Sequence, residues 1–93
     1  MTDKEWQIEV LQRHKLCEIC GRLATVAHHL ISKGASKKLR HELDNGAGLC
    51  HACYNLVHIS AEYGKKLKEK KKDILIKLNK IRYGKIGIEI HKN

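Results

Sequence analysis

The sequence carries two short cysteine pairs, CEIC at residues 17–20 and CHAC at residues 50–53. Two pairs of this spacing can supply the four thiolates of a closed tetrahedral zinc site. In a reducing compartment such cysteines are more often metal ligands than disulfides, because cellular reductants keep ordinary thiols reduced. The pattern therefore predicts a structural zinc ion with no open coordination position, held by Cys17, Cys20, Cys50 and Cys53.

The composition is that of a small basic protein without a large aromatic core. The chain has 93 residues, with no phenylalanine, no proline and one tryptophan. This length fits a single domain over residues 1–93, in which a bound metal would compensate for the small apolar core. The formal net charge of +9 favours a polyanionic partner, nucleic acid before an anionic membrane.

The first residues, MTDKEW at 1–6, lack the apolar run and the cleavage site of a secretory signal. The apolar runs elsewhere in the chain are too short to span a membrane. We therefore expect a cytoplasmic protein without a membrane partner.

The N-terminal part of the chain predicts a helix followed by a strand. Thr2 and Glu5 have the spacing of a capping box, and apolar side chains continue a helical stripe to about His14. Residues 23–30 are rich in β-branched and apolar side chains, which is typical of a short strand that enters a buried site.

The middle of the chain predicts a loop and a second helix. Residues 32–45 read as a loop with at most a short helix at 36–43, and DNG at 44–46 is a turn signal. Residues 51–62 contain no helix breaker, so a helix is expected from the second cysteine pair onward, with Gly64 as the residue that ends or bends it.

The C-terminal part is strongly basic. Residues 64–85 hold ten basic and two acidic side chains, and their leucines and isoleucines keep an approximate helical period. This pattern predicts a basic amphipathic helix over about 64–83. Ile86, Ile88 and Ile90 then alternate with other residues, which predicts a short terminal strand. The fold class is therefore α+β, with a core over about 15–62 and flanking helices at both ends.

The loop between the cysteine pairs carries a further set of polar residues. It contains AHHL at 27–30 and Asn45 five positions before Cys50, and His58 lies on the helix that follows. With these motifs, residues 15–60 resemble the HNH endonuclease family, in particular its phage and prophage form with four zinc-binding cysteines. The resemblance rests on short motifs that rarely occur together.

The resemblance implies a ββα-metal, or His-Me finger, domain that hydrolyses phosphodiester bonds of duplex DNA. It assigns His29 as the general base, and His28 and His58 as ligands of one catalytic divalent ion. A neutral imidazole suits the role of base near neutral pH. Asn45 corresponds to the central asparagine of the family, which braces the loop behind the active site and in some relatives approaches the metal.

The chain departs from the family pattern at Tyr54, where relatives commonly carry a further histidine four residues before the last one. Loss of that ligand leaves His28 and His58 as the expected metal ligands. A site with two imidazoles and no protein carboxylate suits Mn²⁺ better than Mg²⁺. Tyr54 is expected either to contact phosphate through its hydroxyl group or to pack.

Several basic side chains are candidates for contact with the DNA backbone, and contacts of this kind imply little base specificity. They lie in the loop before Asn45 and in the basic helix: Lys37, Lys38, Arg40, Lys65, Lys66 and Lys68.

The expected activity is nicking of one DNA strand, since one such site acts alone. The expected oligomeric state is a monomer or a weak dimer. A phage packaging assembly or host proteins are further partners that the resemblance suggests. The alternative is a noncatalytic, zinc-stapled nucleic-acid-binding module, which Tyr54 favours. A transcription regulator that inserts the basic helix into the major groove is a weaker alternative, because this helix lacks the Arg, Asn and Gln density of base readout.

Overall fold

The computed structural model describes the backbone of residues 1–92 and the side chains of residues 1–83. It has the α+β class that the sequence predicted, with four α-helices and one two-stranded antiparallel sheet. The elements in chain order are α1 (Asp3–Arg13), β1 (Val26–His29), a short 3₁₀ helix (Leu43–Asn45), β2 (Gly46–Leu49), α2 (His51–Ile59), α3 (Ala61–Lys70) and α4 (Lys72–Lys92).

Helix α1 begins at the capping box that the sequence predicted. The backbone N–H of Glu5 donates to Thr2 Oγ1 at 3.2 Å, and the N–H of Thr2 donates to Glu5 Oε1 at 2.8 Å. Two donors at the helix start are thereby satisfied. The buried face of α1 consists of Trp6 and Val10, which are both fully inaccessible to solvent.

Strands β1 and β2 pair in antiparallel register, with Val26 opposite Leu49 and His29 opposite Gly46. All four residues of β2 are buried, and α1 packs closely over this strand. A Cβ atom added at Gly46 would lie 2.4 Å from Val10 Cγ2, and one at Gly48 would lie 2.5 Å from the carbonyl oxygen of His14. The glycines of β2 therefore permit the close approach of α1 to the sheet.

The loop between the strands contains turns and the 3₁₀ helix Leu43–Asn45. The prediction of a loop with at most a short helix is therefore confirmed, and residues 36–42 of this described segment form turns and not an α-helix. The predicted strand at 23–30 is shorter, since β1 begins only at Val26 and Leu23 forms an isolated bridge with Leu16. Apolar composition marked the region of the strand, but its ends depend on where the partner strand begins and ends.

The helix after the second cysteine pair runs through His58, as predicted, but it ends before Gly64. Ser60 adopts an extended backbone conformation, so α2 ends at Ile59 and α3 starts in a new direction. Gly64, predicted to end or bend the helix, lies inside α3 instead. The break at Ser60 allows α3 to fold back on α2 and to bury Leu67 against the cysteine residues.

The prediction of one basic helix over 64–83 is wrong, because Lys71 separates α3 from α4. Leu67 packs with the cysteines, whereas Leu78 packs with Ile31 and Leu39 in a second apolar cluster. The break at Lys71 allows α3 and α4 to pack into different apolar clusters. Lys71 itself is 9% exposed, and its ammonium group lies 2.7 Å from the carboxylate of Glu18.

The predicted terminal strand at Ile86, Ile88 and Ile90 is also wrong, because α4 extends to Lys92. The chain enters this segment as a continuous helix, and the strands described in residues 1–92 already pair with each other. An alternating pattern of three residues does not form a strand without a sheet edge beside it. Among the residues described, no helix combines the length and the apolar character needed to cross a membrane.

Candidate metal centre and histidine cleft

The four cysteines converge in space. Cys17 and Cys20 lie in the turn before β1, Cys50 is the N-cap residue of α2, and Cys53 lies in its first turn. Their Sγ atoms all lie within 4.8 Å of one another, and those of Cys20 and Cys50 are 3.5 Å apart. A tetrahedral zinc ion with Zn–S bonds of about 2.3 Å requires S···S separations of about 3.8 Å. The four side chains, the cysteine cluster, could therefore hold a structural zinc ion.

The electrostatics of the cysteine cluster favour a bound cation. Burial opposes ionisation of Cys17, but backbone N–H groups of Cys20, Cys50 and Ile19 outweigh it and lower the pKa of Cys17 to about 6. Burial raises the pKa of Cys53 above its usual value, and the neighbouring cysteines raise it further. Full ionisation of four clustered thiols requires a positive charge among them, which a divalent metal supplies.

The cysteine cluster is also part of the apolar core. Cys17, Cys50 and Cys53 are buried together with Ala47, Leu49 and Leu67, so β2, α2 and α3 all contact it. Cys20 is exposed and closes the cluster on its solvent side. A metal bound here would fix the packing of three elements at once.

A polar cleft of about 260 Å³, here called the histidine cleft, opens beside the end of β1. Three of the predicted site residues line it together, namely His28, His29 and His58. The remaining lining residues come from α1, the strand, the following loop and α2: Gln7, Ala27, Ser32, Lys33 and Tyr54.

His28 and His58 face each other across this cleft, with ring centroids 5.4 Å apart and planes nearly perpendicular at 88°. His58 Nδ1 lies 2.8 Å from the carbonyl oxygen of Tyr54. A carbonyl oxygen only accepts hydrogen bonds, so in the neutral ring Nδ1 carries the proton and the lone pair lies on Nε2. Burial first, and then the neighbouring His58 and His29, lower the pKa of His28 to about 4. His28 is therefore neutral near pH 7 and able to bind a metal.

The donor set of the histidine cleft is small. Among the described residues, only the cysteine cluster brings three or more potential metal ligands together. Of the three histidines that line the histidine cleft, His28 and His58 are the two that are predicted to bind a catalytic ion, and Tyr54 occupies the position at which the HNH pattern commonly has a further histidine. The ring of Tyr54 lies 4.4 Å from that of His58 and 6.0 Å from that of His28, so it packs against both.

His29 is held in a fixed orientation by two contacts. Its ring stacks on the indole of Trp6, with centroids 3.8 Å apart and an angle of 11° between the planes. Its Nε2 donates to the carbonyl oxygen of Arg40 at 2.9 Å, so the lone pair remains on Nδ1. Burial lowers the pKa of His29 below its ordinary value, although the Arg40 carbonyl offsets part of this effect.

Trp6 is a site residue that the sequence did not reveal. It is fully buried, and its Nε1 donates to the carbonyl oxygen of Glu42 at 2.9 Å. The helical stripe predicted only that this side chain faces the core. Its contact with His29 depends on how α1 crosses the sheet, and no local pattern records that crossing.

Asn45 lies behind the histidine cleft with its side chain fully buried. Its Oδ1 accepts a hydrogen bond from the N–H of Ile31 at 2.7 Å. Its Nδ2 donates to the carbonyl oxygens of Ile31 and Leu39 at 2.9 and 3.1 Å. Asn45 thereby ties both ends of the loop between the strands to one amide group.

The basic side chains predicted to contact DNA lie in different surroundings. Lys37 and Lys38 are exposed in the loop. The guanidinium of Arg40 is paired with the carboxylate of Asp3, with Nε 2.9 Å from Oδ1, so its donors already face a partner. Nothing in the sequence indicates this pair, because its members lie far apart along the chain.

The lysines of α3 divide between two sides of the helix. Lys65 and Lys68 line a second cleft that adjoins the first. Lys66 lies over the ring of Tyr63, with Nζ 5.1 Å from the centroid. Of these three lysines, only Lys65 and Lys68 therefore lie beside the histidine cleft.

Comparisons with known proteins give no match: no protein-family model, curated protein or solved structure is significantly similar to this chain.

We expect loss of zinc to unfold the chain, because structural zinc sites in small domains contribute roughly 10 kcal/mol or more to folding. Cys53→Ser should lose the metal and the helical circular dichroism signal, and a strong chelator should do the same to the wild type. Metal content is measured by mass spectrometry. His51→Ala, an exposed histidine between two of the cysteines, should retain zinc and structure. A folded Cys53→Ser chain with unchanged melting temperature would contradict the assignment.

Asn45→Ala should destabilise the protein by about 3 kcal/mol, because it leaves the backbone N–H and C=O groups of Ile31 without hydrogen-bond partners and removes one of the two hydrogen bonds to the carbonyl oxygen of Leu39. The free energy of unfolding is measured by urea denaturation of the zinc-loaded protein. Asn55→Ala, at an exposed position of α2, is the matched control and should change stability by about 0.5 kcal/mol or less. Equal stability of the two variants would show that Asn45 does not brace the loop.

Proposed function

We propose that this chain is a metal-dependent DNA endonuclease of the HNH type, with the ββα-metal fold and nicking activity. The observation that carries the proposal is the histidine cleft, in which an oriented, neutral His29 lies beside the facing pair His28 and His58. The strand, strand and helix order of β1, β2 and α2 supports it, since β1 supplies His28 and His29 and α2 supplies His58.

His29 has the features required of a general base. Its Nδ1 lone pair is free of the Arg40 hydrogen bond, and the lowered pKa keeps the ring neutral near pH 7. As Nδ1 takes a proton from the attacking water, the Nε2–H···O=C hydrogen bond to Arg40 strengthens, because the ring becomes cationic. Stacking on Trp6 prevents the ring from turning away.

His28 and His58 would hold a divalent ion, which offsets negative charge on the phosphate and on the departing 3′ oxygen. The neutral state of His28 and the free Nε2 of His58 fit this role. The pair supplies two ligands, so substrate and solvent would complete the coordination. Lys33 lines the same cleft, with its Nζ 3.8 Å from Asp3 Oδ2, and would add positive charge near the phosphate.

The second candidate is a noncatalytic nucleic-acid-binding module stapled by zinc. One observation favours it: Tyr54 packs against both His28 and His58, at the position where the HNH family commonly has a metal ligand. Both candidates use the same positive charge and the same cysteine cluster. They differ in whether the chain breaks a phosphodiester bond.

We expect the zinc-loaded protein with Mn²⁺ to convert supercoiled plasmid to open circle. His29→Ala should reduce this rate by about 100-fold or more, because general-base catalysis contributes that much. His51→Ala is the matched control and should retain the wild-type rate, since this exposed histidine lies outside the cleft. Agarose gel electrophoresis resolves the two plasmid forms. If the protein binds the plasmid but none of the divalent ions tested supports nicking, the noncatalytic module is favoured.

The nicking rate should be higher with Mn²⁺ than with Mg²⁺ at the same concentration. The reason is that imidazole ligands bind Mn²⁺ better than Mg²⁺, which prefers oxygen ligands. Initial rates are compared over a range of metal concentrations with the zinc content held constant. An equal or greater rate with Mg²⁺ would show that His28 and His58 do not dominate the binding of the catalytic ion.

A further inference from the structure

A second cleft, here called the apolar groove, lies next to the histidine cleft and has a volume of about 350 Å³. The two share His28 as a common wall. The end of β1, helix α2 and helix α3 form its sides, with these lining residues: His28, Leu30, Val57, Ala61, Gly64, Lys65, Leu67 and Lys68.

The floor and the rim of the apolar groove differ in chemistry. Leu30, Val57 and Leu67 present an apolar floor, whereas Lys65 and Lys68 are exposed and carry positive charge at the rim. A ligand that matches both has an apolar body and a negatively charged group. A nucleotide has this combination, since the base can lie on apolar side chains while its phosphate meets the lysines.

Gly64 provides an independent observation. It lies inside α3, where glycine costs up to about 1 kcal/mol of stability relative to alanine. A Cβ atom added there would meet only the carbonyl oxygen of Val57 at 3.5 Å, which is an ordinary contact. The fold therefore does not require a glycine at this position. Its missing side chain leaves the wall of the apolar groove open to a ligand.

We propose that the apolar groove binds one unpaired nucleotide of a single DNA strand, next to the strand position that enters the histidine cleft. The proposal rests on the proposed function, whose substrate class it narrows to DNA with an unpaired segment. A volume near the lower end of ligand pockets, about 300–1,000 Å³, suits one nucleotide. A base can reach the apolar floor only when it is not stacked and paired in a duplex.

The lining residues also indicate that the apolar groove does not distinguish one base from another. Its polar side chains are His28, Lys65 and Lys68, and among its lining residues there is no amide or carboxylate side chain to recognise the edge of a base. Binding is therefore independent of base sequence and sensitive to salt, because the phosphate contacts come from lysines.

Gly64→Leu tests the proposal by filling the apolar groove, and Gly64→Ala is its matched control, because both replace glycine by a better helix former. Binding of zinc-loaded protein to a fluorescent oligo(dT) strand and to a hairpin duplex is measured by anisotropy without added divalent ion. Gly64→Leu should weaken binding of the single strand by about tenfold. Binding of the duplex should change by less than about twofold, and Gly64→Ala should bind both as the wild type does.

Melting temperatures at or above that of the wild type show that both variants are folded. Equal affinity of Gly64→Leu and Gly64→Ala for oligo(dT) would overturn the proposal, and so would tighter binding of an oligo(rU) strand than of oligo(dT) by the wild type. The binding assay needs no catalysis. A chain that does not nick plasmid can therefore still show the expected loss of oligo(dT) affinity in Gly64→Leu, and an active nuclease can lack this loss.

Discussion

The convergence of four cysteine side chains is the interaction on which the rest of this structure depends. The cysteines join the turn before β1 to the start of α2, which are remote along the chain. The apolar core around them is small and contains no phenylalanine. A chain of this size buries too little apolar surface to be robust without a cross-link, and a metal held by the four cysteines would provide one. The histidine cleft is lined in part by β1, which follows the first cysteine pair, and by α2, which begins at the second, so its geometry would depend on that cross-link.

The parts of the fold that the sequence predicted are those encoded by local chemistry. The capping box of Thr2 and Glu5 marked the start of α1, and the spacing of the cysteines predicted their cluster. The bend at Lys71 was not predictable, because its ammonium group is held by Glu18 from the first cysteine turn. The basic stretch has a continuous helical pattern, and only the separate burial of Leu67 and Leu78 divides it.

In the candidate site, too, the features encoded by a local motif were predictable and those that depend on distant residues were not. The motif around His28, His29 and His58 predicted residues that the structure brings into one cleft. The groups that orient them were not predictable, since the Trp6 indole and the Arg40 carbonyl approach His29 from distant parts of the chain. Arg40 appeared in the sequence as a free cation, but Asp3 neutralises it. The net charge of a sequence counts every charged side chain, whereas the ion pairs of the folded chain determine which basic side chains remain available to a phosphate.

The stack of Trp6 on His29 gives the protein an internal spectroscopic reporter. Trp6 is the sole tryptophan, it is excluded from solvent, and its indole lies face to face with one imidazole of the cleft. Indole emission is quenched by a protonated imidazole in contact with it. The intrinsic fluorescence of the unlabelled chain therefore follows the state of His29 directly, and events in the cleft can be observed without attaching a dye to the protein.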